Sequence, residues 1–135
     1  DRIKKDLAQE NIVNPYKMKF SYNFTFDDES KIDTASSSAV QVVDGNLRLV
    51  SGYALGTMVS QPKTANSAIS QVHLLIKGEN TSAASYSFSA DGTNSWQTLS
   101  INTLTNVTNQ GTSLRLRIVL NDTTTRIDSA ALLFK

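Results

Sequence analysis

The sequence predicts an all-β protein in which two antiparallel sheets pack face to face, and three stretches carry that prediction. Residues 18–26 and residues 114–120 each alternate large apolar with polar side chains, and residues 85–99 have the pattern of a hairpin. Alternation with a period of two is typical of strands that bury one face. Because several such faces need an opposing layer, the predicted fold is a two-sheet β-sandwich.

Residues 18–26 form the clearest predicted strand. Lys, Ser, Asn and Thr alternate there with five large apolar side chains, which are Met18, Phe20, Tyr22, Phe24 and Phe26. A single sheet in water would leave these five side chains unburied. We therefore expect all five to face the core of the sandwich.

The hairpin of residues 85–99 is the strongest local signal. Tyr86 and Phe88 alternate with serines on the way into the turn. The turn contains Asp91 and Gly92, which suit it because an Asp side chain accepts backbone amides and Gly tolerates positive φ. Trp96 opens the return strand. We expect Trp96 to lie in the core beside Phe88 or Tyr86, and Asp91 to cap its own turn.

Residues 89–96, Ser-Ala-Asp-Gly-Thr-Asn-Ser-Trp, resemble the Asp-box, Ser-x-Asp-x-Gly-x-Thr-Trp, of sialidases and other β proteins. Ser89, Asp91 and Trp96 match the motif, while serine replaces its threonine and threonine its glycine. In those proteins the motif clamps a hairpin that is remote from catalysis. The resemblance therefore implies a structural role for Ser89, Asp91, Gly92 and Trp96.

The last predicted strand, residues 126–134, has apolar side chains on both faces. Either a central position in a sheet or a contact with another subunit would cover both of them. With the shorter strands between these stretches, the chain holds eight or nine strands, and a jelly roll is the expected arrangement. In residues 126–134, the two sets of side chains that compete to face the core are Ile127, Ala131 and Leu133 on one side and Ala130, Leu132 and Phe134 on the other.

The N-terminal residues 1–16 differ in character from the sandwich domain predicted for residues 17–135. Asp1 is a candidate helix cap, Ile3 and Leu7 share one helical face, and Pro15 ends the pattern. Such a short helical or extended arm is marginal by itself. It is either a linker or a docking segment for another domain or chain. Because the chain does not begin with Met, we expect a processed protein or part of a longer one.

Composition argues against several partners. The formal net charge of +1 gives no electrostatic reason to expect nucleic acid or an acidic membrane surface. No apolar run approaches membrane-spanning length. The absence of cysteine excludes a disulfide framework, a thiol nucleophile and a zinc–thiolate site, and it leaves the redox compartment open.

Enzymatic chemistry has little support in the sequence. His73 is the single histidine and lies in mid-strand among apolar residues, so we expect it to fill space rather than react. Carboxylate pairs for glycoside hydrolysis would have to combine the acidic loop with aspartates in turns. No glycine-rich phosphate loop of a common type is present. The sequence therefore predicts a protein that is not an enzyme.

Two sets of residues are candidates for binding. Asp27, Asp28 and Asp33 lie in an acidic loop that could hold calcium through oxygen ligands, the alternative being a solvated loop whose acids cap turns. The loop does not follow the EF-hand spacing, and no other cofactor is expected. Tyr53 and Tyr16 are the candidates for an exposed aromatic platform that would contact a sugar.

Five stretches together resemble a known family of modules. They are residues 28–33, 44–49, 60–62, 86–92 with Trp96, and 114–120. Their order is similar to jelly-roll modules, akin to galactose-binding and carbohydrate-binding domains, that recur in tail, fibre and capsid-accessory proteins of tailed bacteriophages. The match covers about residue 24 to the end, mostly in turn and core positions. Ligand residues of such modules lie on variable loops, so none is carried over.

The resemblance implies a non-enzymatic structural module of a bacteriophage virion, located in the extracellular particle. Its expected partners are other virion subunits, including further copies of the chain in a homo-oligomer, and glycans on the host surface. The alternative is a carbohydrate-binding module of a secreted bacterial enzyme. An unrecognised hydrolase is the least favoured hypothesis.

Overall fold

The computed structural model describes residues 18–93 and 95–135, whose strands form two antiparallel sheets packed face to face. This confirms the predicted all-β sandwich, with eleven strands where eight or nine were predicted. The predicted arm, residues 1–16, lies outside the described residues. The strands are β1 (Phe20–Phe24), β2 (Val40–Val43), β3 (Asn46–Leu49), β4 (Gly56–Val59), β5 (Lys63–Thr64), β6 (Gln71–Glu79), β7 (Ser85–Ser89), β8 (Gln97–Leu99), β9 (Leu104–Asn106), β10 (Ser113–Leu120) and β11 (Arg126–Phe134).

The larger sheet has the order β2-β3-β11-β6-β9, with β1 also paired to β11. The smaller sheet has the order β4-β10-β7-β8, with β5 also paired to β10. All ladders between these strands are antiparallel. From β3 onward most connections cross from one sheet to the other, so β10 and β11, neighbours in the chain, lie in opposite sheets.

Helical structure is confined, within the described ranges, to a short 3₁₀ helix at Thr81–Ala83. No helix in this part of the chain is long and apolar enough to cross a membrane.

The main core lies between the two sheets, and β10 shows how the sequence builds it. Leu114, Leu116 and Ile118 are completely buried, as alternation predicts. Between them Arg115 and Arg117 point away from the core and are half-buried. The period of two in the sequence therefore sets which face of β10 the opposite sheet covers.

The N-terminal strand agrees only in part with the prediction of one apolar face. Tyr22, Phe24 and Phe26 are buried in the main core. Phe20 is 48% exposed because β1 starts with it at the rim of the sandwich. Met18 precedes the ladder, so strand alternation does not govern it, and it joins a separate cluster with strands of the larger sheet.

The structure explains why residues 126–134 have apolar side chains on both faces. β11 is central in the larger sheet, and residues 129–134 are all buried. Its pairing with β6 shifts between Ile127 and Ser129, which leaves Asp128 as an extra residue in a β-bulge. The bulge explains why Ile127 faces the main core together with Ala130, three residues later, instead of with a residue at an even spacing.

Gly78 makes this bulge possible. It lies opposite Ile127, and a Cβ atom at position 78 would stand 2.0 Å from the carbonyl oxygen of Arg126. That distance is far below van der Waals contact, and the atom approached is in the backbone. The backbones of β6 and β11 therefore come close enough to exclude any side chain at this position.

We expect Gly78→Ala to lower the free energy of unfolding by about 2–3 kcal/mol, the upper part of the range for overpacking, because β6 and β11 must separate. The control is Lys77→Ala at an exposed neighbouring position, which should change stability by less than about 0.5 kcal/mol. Urea denaturation measures both. Equal losses for the two variants would contradict the close backbone approach.

Candidate functional site

The best candidate for a binding site is a groove of about 310 Å³ beside the β2–β3 hairpin, which we call the Tyr53 groove. Three segments line it: the hairpin itself, the loop that follows β3, and the loop that precedes β11. Its lining includes the side chains of Gln41, Arg48, Tyr53, Thr123 and Arg126.

Local turn chemistry and sheet order bring these segments together. Asp44 and Gly45 both have positive φ, at 53° and 78°, which closes a tight hairpin and pairs Gln41 with Arg48. Because β3 also pairs with β11, the loop just before β11 lies beside the hairpin. This is how Arg126 reaches the same groove as Arg48, although 78 residues separate them along the chain.

Tyr53 supplies the aromatic surface of the groove. The amide of Tyr53 donates to the carbonyl of Val50 at 3.1 Å, and Gly52 takes a positive φ of 91°, so the loop turns tightly. The side chain of Tyr53 is 55% exposed, which agrees with its selection as a candidate platform. The second candidate, Tyr16, lies outside the described residues.

The two arginines of the groove are held by neutral acceptors. Arg48 donates from Nε to Asn46 Oδ1 at 2.9 Å and from Nη2 to the carbonyl of Val43 at 3.3 Å. Arg126 donates from Nη1 to the carbonyls of Thr123, at 2.8 Å, and of Thr125, at 2.9 Å.

The guanidinium groups of Arg48 and Arg126 are both available to a ligand in the groove. Among residues 18–93 and 95–135 no carboxylate forms a salt bridge with either arginine. Each guanidinium also has further N–H donors. With the Tyr53 ring alongside, the groove can take a ligand that has an apolar face and an anionic or hydroxyl-rich edge.

The three aspartates of the acidic loop that were candidates for calcium binding have hydrogen-bond partners within the chain. Asp33 forms a salt bridge with Arg115 at 2.7 Å, which ties the loop to β10. Asp27 accepts from the hydroxyl of Thr25, and Asp28 accepts from a backbone amide. Within the described part of the chain no three His, Cys, Asp or Glu side chains form a group that could hold a metal ion. The geometry gives no support to calcium binding by Asp27, Asp28 and Asp33.

The Asp-box-like hairpin has the contacts expected of a clamp. Asp91 Oδ1 accepts from the amide of Thr93 at 3.0 Å and from its hydroxyl at 2.7 Å. Ser89 donates to the carbonyl of Thr93 at 2.9 Å, and Gly92 has a positive φ of 78°. The expected contact between Asp91 and a backbone amide of its own turn is therefore present.

The prediction that Trp96 lies in the core is wrong. Trp96 is half-buried, and the guanidinium carbon of Arg117 lies 4.6 Å from its ring centroid. β8 begins one residue later, at Gln97, so alternation along the strand does not place Trp96. Arg117 extends from the polar side of β10, so the tryptophan ring packs against a cation outside the main core.

His73 fills space in the fold, in agreement with its position on an apolar strand. It is completely buried, and its Nε2 lies 2.8 Å from Asn102 Oδ1. Neither residue lines the Tyr53 groove.

Comparison of the chain with models of known protein families, with curated proteins and with solved structures finds no match.

Sequence reasoning found one residue of the groove and missed the others. Tyr53 stood out as an aromatic residue in a loop that contains glycine. Arg48, Thr123 and Arg126 carry no local signal, because they meet only through the pairing of β3 with β11. The one available clue was the Asp44-Gly45 turn, which fixes the hairpin but not its neighbours.

The hydrogen bonds from Thr93 hold the pKa of Asp91 below its ordinary value. A carboxyl with a lowered folded-state pKa stabilises the fold above its unfolded pKa of about 3.9, and this contribution is lost as pH falls through the folded value. We expect the difference in urea midpoint between the natural chain and Asp91→Asn to be larger at about pH 6 than at about pH 2.5.

Asp122 provides a matched second case, since Thr124 donates to it in the same way and its pKa is also lowered. Asp122→Asn should show the same pH dependence. A midpoint difference that is independent of pH in both variants would show that neither carboxylate acts through its charge.

The half-buried position of Trp96 predicts a modest cost of truncation. Trp96→Ala should lower the free energy of unfolding by about 1–2 kcal/mol, whereas Phe88→Ala in the core should cost about 3–5 kcal/mol. A double-mutant cycle of Trp96→Ala with Arg117→Gln should give a coupling of about 0.5–1 kcal/mol. Equal losses at Trp96 and Phe88, with no coupling to Arg117, would contradict the observed contact.

Proposed function

We propose that this chain is a non-enzymatic module of a bacteriophage virion that binds an acidic glycan of the host surface in the Tyr53 groove. The observation that carries the glycan proposal is the exposed ring of Tyr53 beside two arginines that no described carboxylate neutralises. The resemblance of turn and core residues to phage jelly-roll modules supports the virion setting.

The groove matches the chemistry of an acidic sugar. A pyranose ring has an apolar face of C–H groups that can lie on the Tyr53 ring, as ligand sites combine apolar surface with a few polar groups. A guanidinium binds a carboxylate through two parallel hydrogen bonds. Gln41 and Thr123 add donors and acceptors for hydroxyl groups. A uronic or sialic acid residue offers all three kinds of surface.

The contacts of three aspartates support a binding role over catalysis. Asp91 and Asp122 accept hydrogen bonds from threonines in their own turns. Asp33 is paired with Arg115. Each of these three groups is held by a contact within the chain.

In the virion setting, the proposed partners are other virion subunits, further copies of this chain in a homo-oligomer, and host glycans. The alternative, a carbohydrate-binding module of a secreted bacterial enzyme, would use the same groove. The neighbouring genes distinguish the two: tail and capsid genes favour the virion, and a linked glycosidase favours the enzyme.

We expect the chain to bind tetragalacturonate or sialyllactose more tightly than the neutral partners galactotetraose and lactose in isothermal titration calorimetry. Tyr53→Ala should weaken binding at least about tenfold, which corresponds to about 1.4 kcal/mol. Leu55→Ala is the matched control, because Leu55 is also exposed in the same loop but does not line the groove. It should leave affinity unchanged.

Arg126→Gln should weaken binding of the acidic sugars more than of the neutral ones, and added salt should reduce the difference. Absence of binding to every glycan tested, or binding that Tyr53→Ala leaves unchanged, would contradict the proposed site.

A further inference from the structure

The strand β2 lies at the end of the larger sheet, and its outer edge is open to a further strand. β2 is last in the sheet order and pairs with β3 alone. In the part of the chain that the structure describes, no backbone hydrogen bond joins the outer edge of β2 to another segment. The edge of β4 differs, because Thr57 bonds there to Ser38 and Val59 to Asp33. β2 therefore presents backbone groups to which a strand can be added.

The geometry of the hairpin determines which backbone groups of β2 point outward. Its turn has two residues, so the last residue of β2 and the first of β3 form a hydrogen-bonded pair. Hydrogen-bonded and non-hydrogen-bonded pairs then alternate along the ladder. The bond from the amide of Val50 to the carbonyl of Ala39, 2.9 Å long, agrees with this alternation. The N–H and C=O groups of Val40 and Val42 therefore point away from β3.

We infer that a second copy of this chain pairs with this edge, β2 against β2, about a twofold axis at Gln41. In this antiparallel register, Val40 of each copy lies opposite Val42 of the other, and each such pair exchanges two hydrogen bonds. Gln41 lies opposite Gln41 of the second copy. This register uses the outward backbone groups of both valines in both copies. It joins the two larger sheets into one continuous sheet with an isologous interface.

The side chains of β2 are complementary to themselves in this register. Val40 and Val42 pack at the margin of the main core and are half-buried, so the pairing buries more of both. Gln41 points to the outer face, where its amide can donate to and accept from the identical amide opposite. β2 contains no charged residue and no proline, which are the residue types that prevent pairing at many sheet edges. A second copy therefore fits this edge without a like-charge contact.

The pairing also sets the relative position of two Tyr53 grooves. Gln41 and Arg48, which line the groove, lie opposite each other in the ladder and share the outer face of the sheet. Because the twofold axis is perpendicular to the sheet, both grooves open on the same side. The two copies of β3 then lie about 14 Å apart, which is three strand spacings. The inferred pairing does not depend on the glycan proposal.

The absence of cysteine from the chain allows a direct test by cross-linking. Gln41→Cys in the full chain places one thiol opposite its counterpart in the second copy. The Cα atoms of such a non-hydrogen-bonded pair are about 4.5 Å apart, a separation that a disulfide spans. After mild oxidation with oxidised glutathione, we expect most of this variant to migrate as a dimer in non-reducing electrophoresis.

Val43→Cys is the matched control, because position 43 lies on the same strand and the same face. In the inferred register the two copies of position 43 are about 14 Å apart, beyond the reach of a disulfide. We therefore expect Val43→Cys to form the covalent dimer at least about tenfold more slowly than Gln41→Cys.

Sedimentation equilibrium tests the pairing without a covalent bond. Gln41→Lys and Gln41→Glu each place like charges opposite each other, which should raise the dissociation constant of the dimer about fivefold. An equimolar mixture of the two variants places Lys opposite Glu and should restore the dimer. The matched control, Thr98→Lys and Thr98→Glu, changes an exposed residue of β8 at the edge of the smaller sheet. It should leave the dissociation constant unchanged.

The inference fails on any of three results. A chain that stays monomeric up to about 1 mM would leave the edge of β2 to a strand of another protein. Cross-linking of Gln41→Cys that is no faster than that of Val43→Cys would place the interface elsewhere. A mixture of Gln41→Lys and Gln41→Glu that associates no more tightly than either variant alone would also exclude Gln41 from the twofold axis.

Discussion

The double burial of β11 is the constraint on which the rest of this sandwich depends. The strand pairs with β6 on one side and with both β1 and β3 on the other. Its residues 129–134 are buried on both faces. A strand in this position must have side chains suited to two environments, which is why its sequence shows no simple alternation. The bulge at Asp128 shifts which side chains of β11 face the main core, and the lack of a side chain at Gly78 leaves room for that shift.

The same pairing creates the candidate site. β3 lies beside the start of β11, and the two arginines of the Tyr53 groove project from these neighbouring segments. The framework that holds them is therefore part of the larger sheet. Tyr53 comes from a short loop that a positive-φ glycine turns back on itself. Side chains positioned by strand pairing beside one exposed ring are an arrangement suited to binding a ligand.

Three aspartates stabilise loops and turns of this fold. Asp91 and Asp122 each accept from the amide and the hydroxyl of the threonine two residues later, so both turns use the same Asp-x-Thr contact. Asp33 links the acidic loop to β10 across 82 residues of sequence. The contacts of Asp91 and Asp122 also satisfy backbone donors in their turns.

The sequence by itself determined the all-β class, the two-layer packing and the local turns. Period-two alternation in β10 and the Asp44-Gly45 turn depend on residues close together in the chain, so they could be predicted. Tyr53 was found for the same reason. The sequence did not determine that Trp96 would pack on Arg117. Trp96 lies just before β8, so strand alternation does not fix the direction of its side chain.

Only the tertiary structure decided that Arg48 and Arg126 share a groove, and that Leu75 and Leu133 form a second apolar cluster. These sets assemble through the lateral order of strands that are distant in sequence. Alternation specifies which side chains lie on each face of a strand. It does not specify which strands pair with it, since many strand orders bury the same faces equally well.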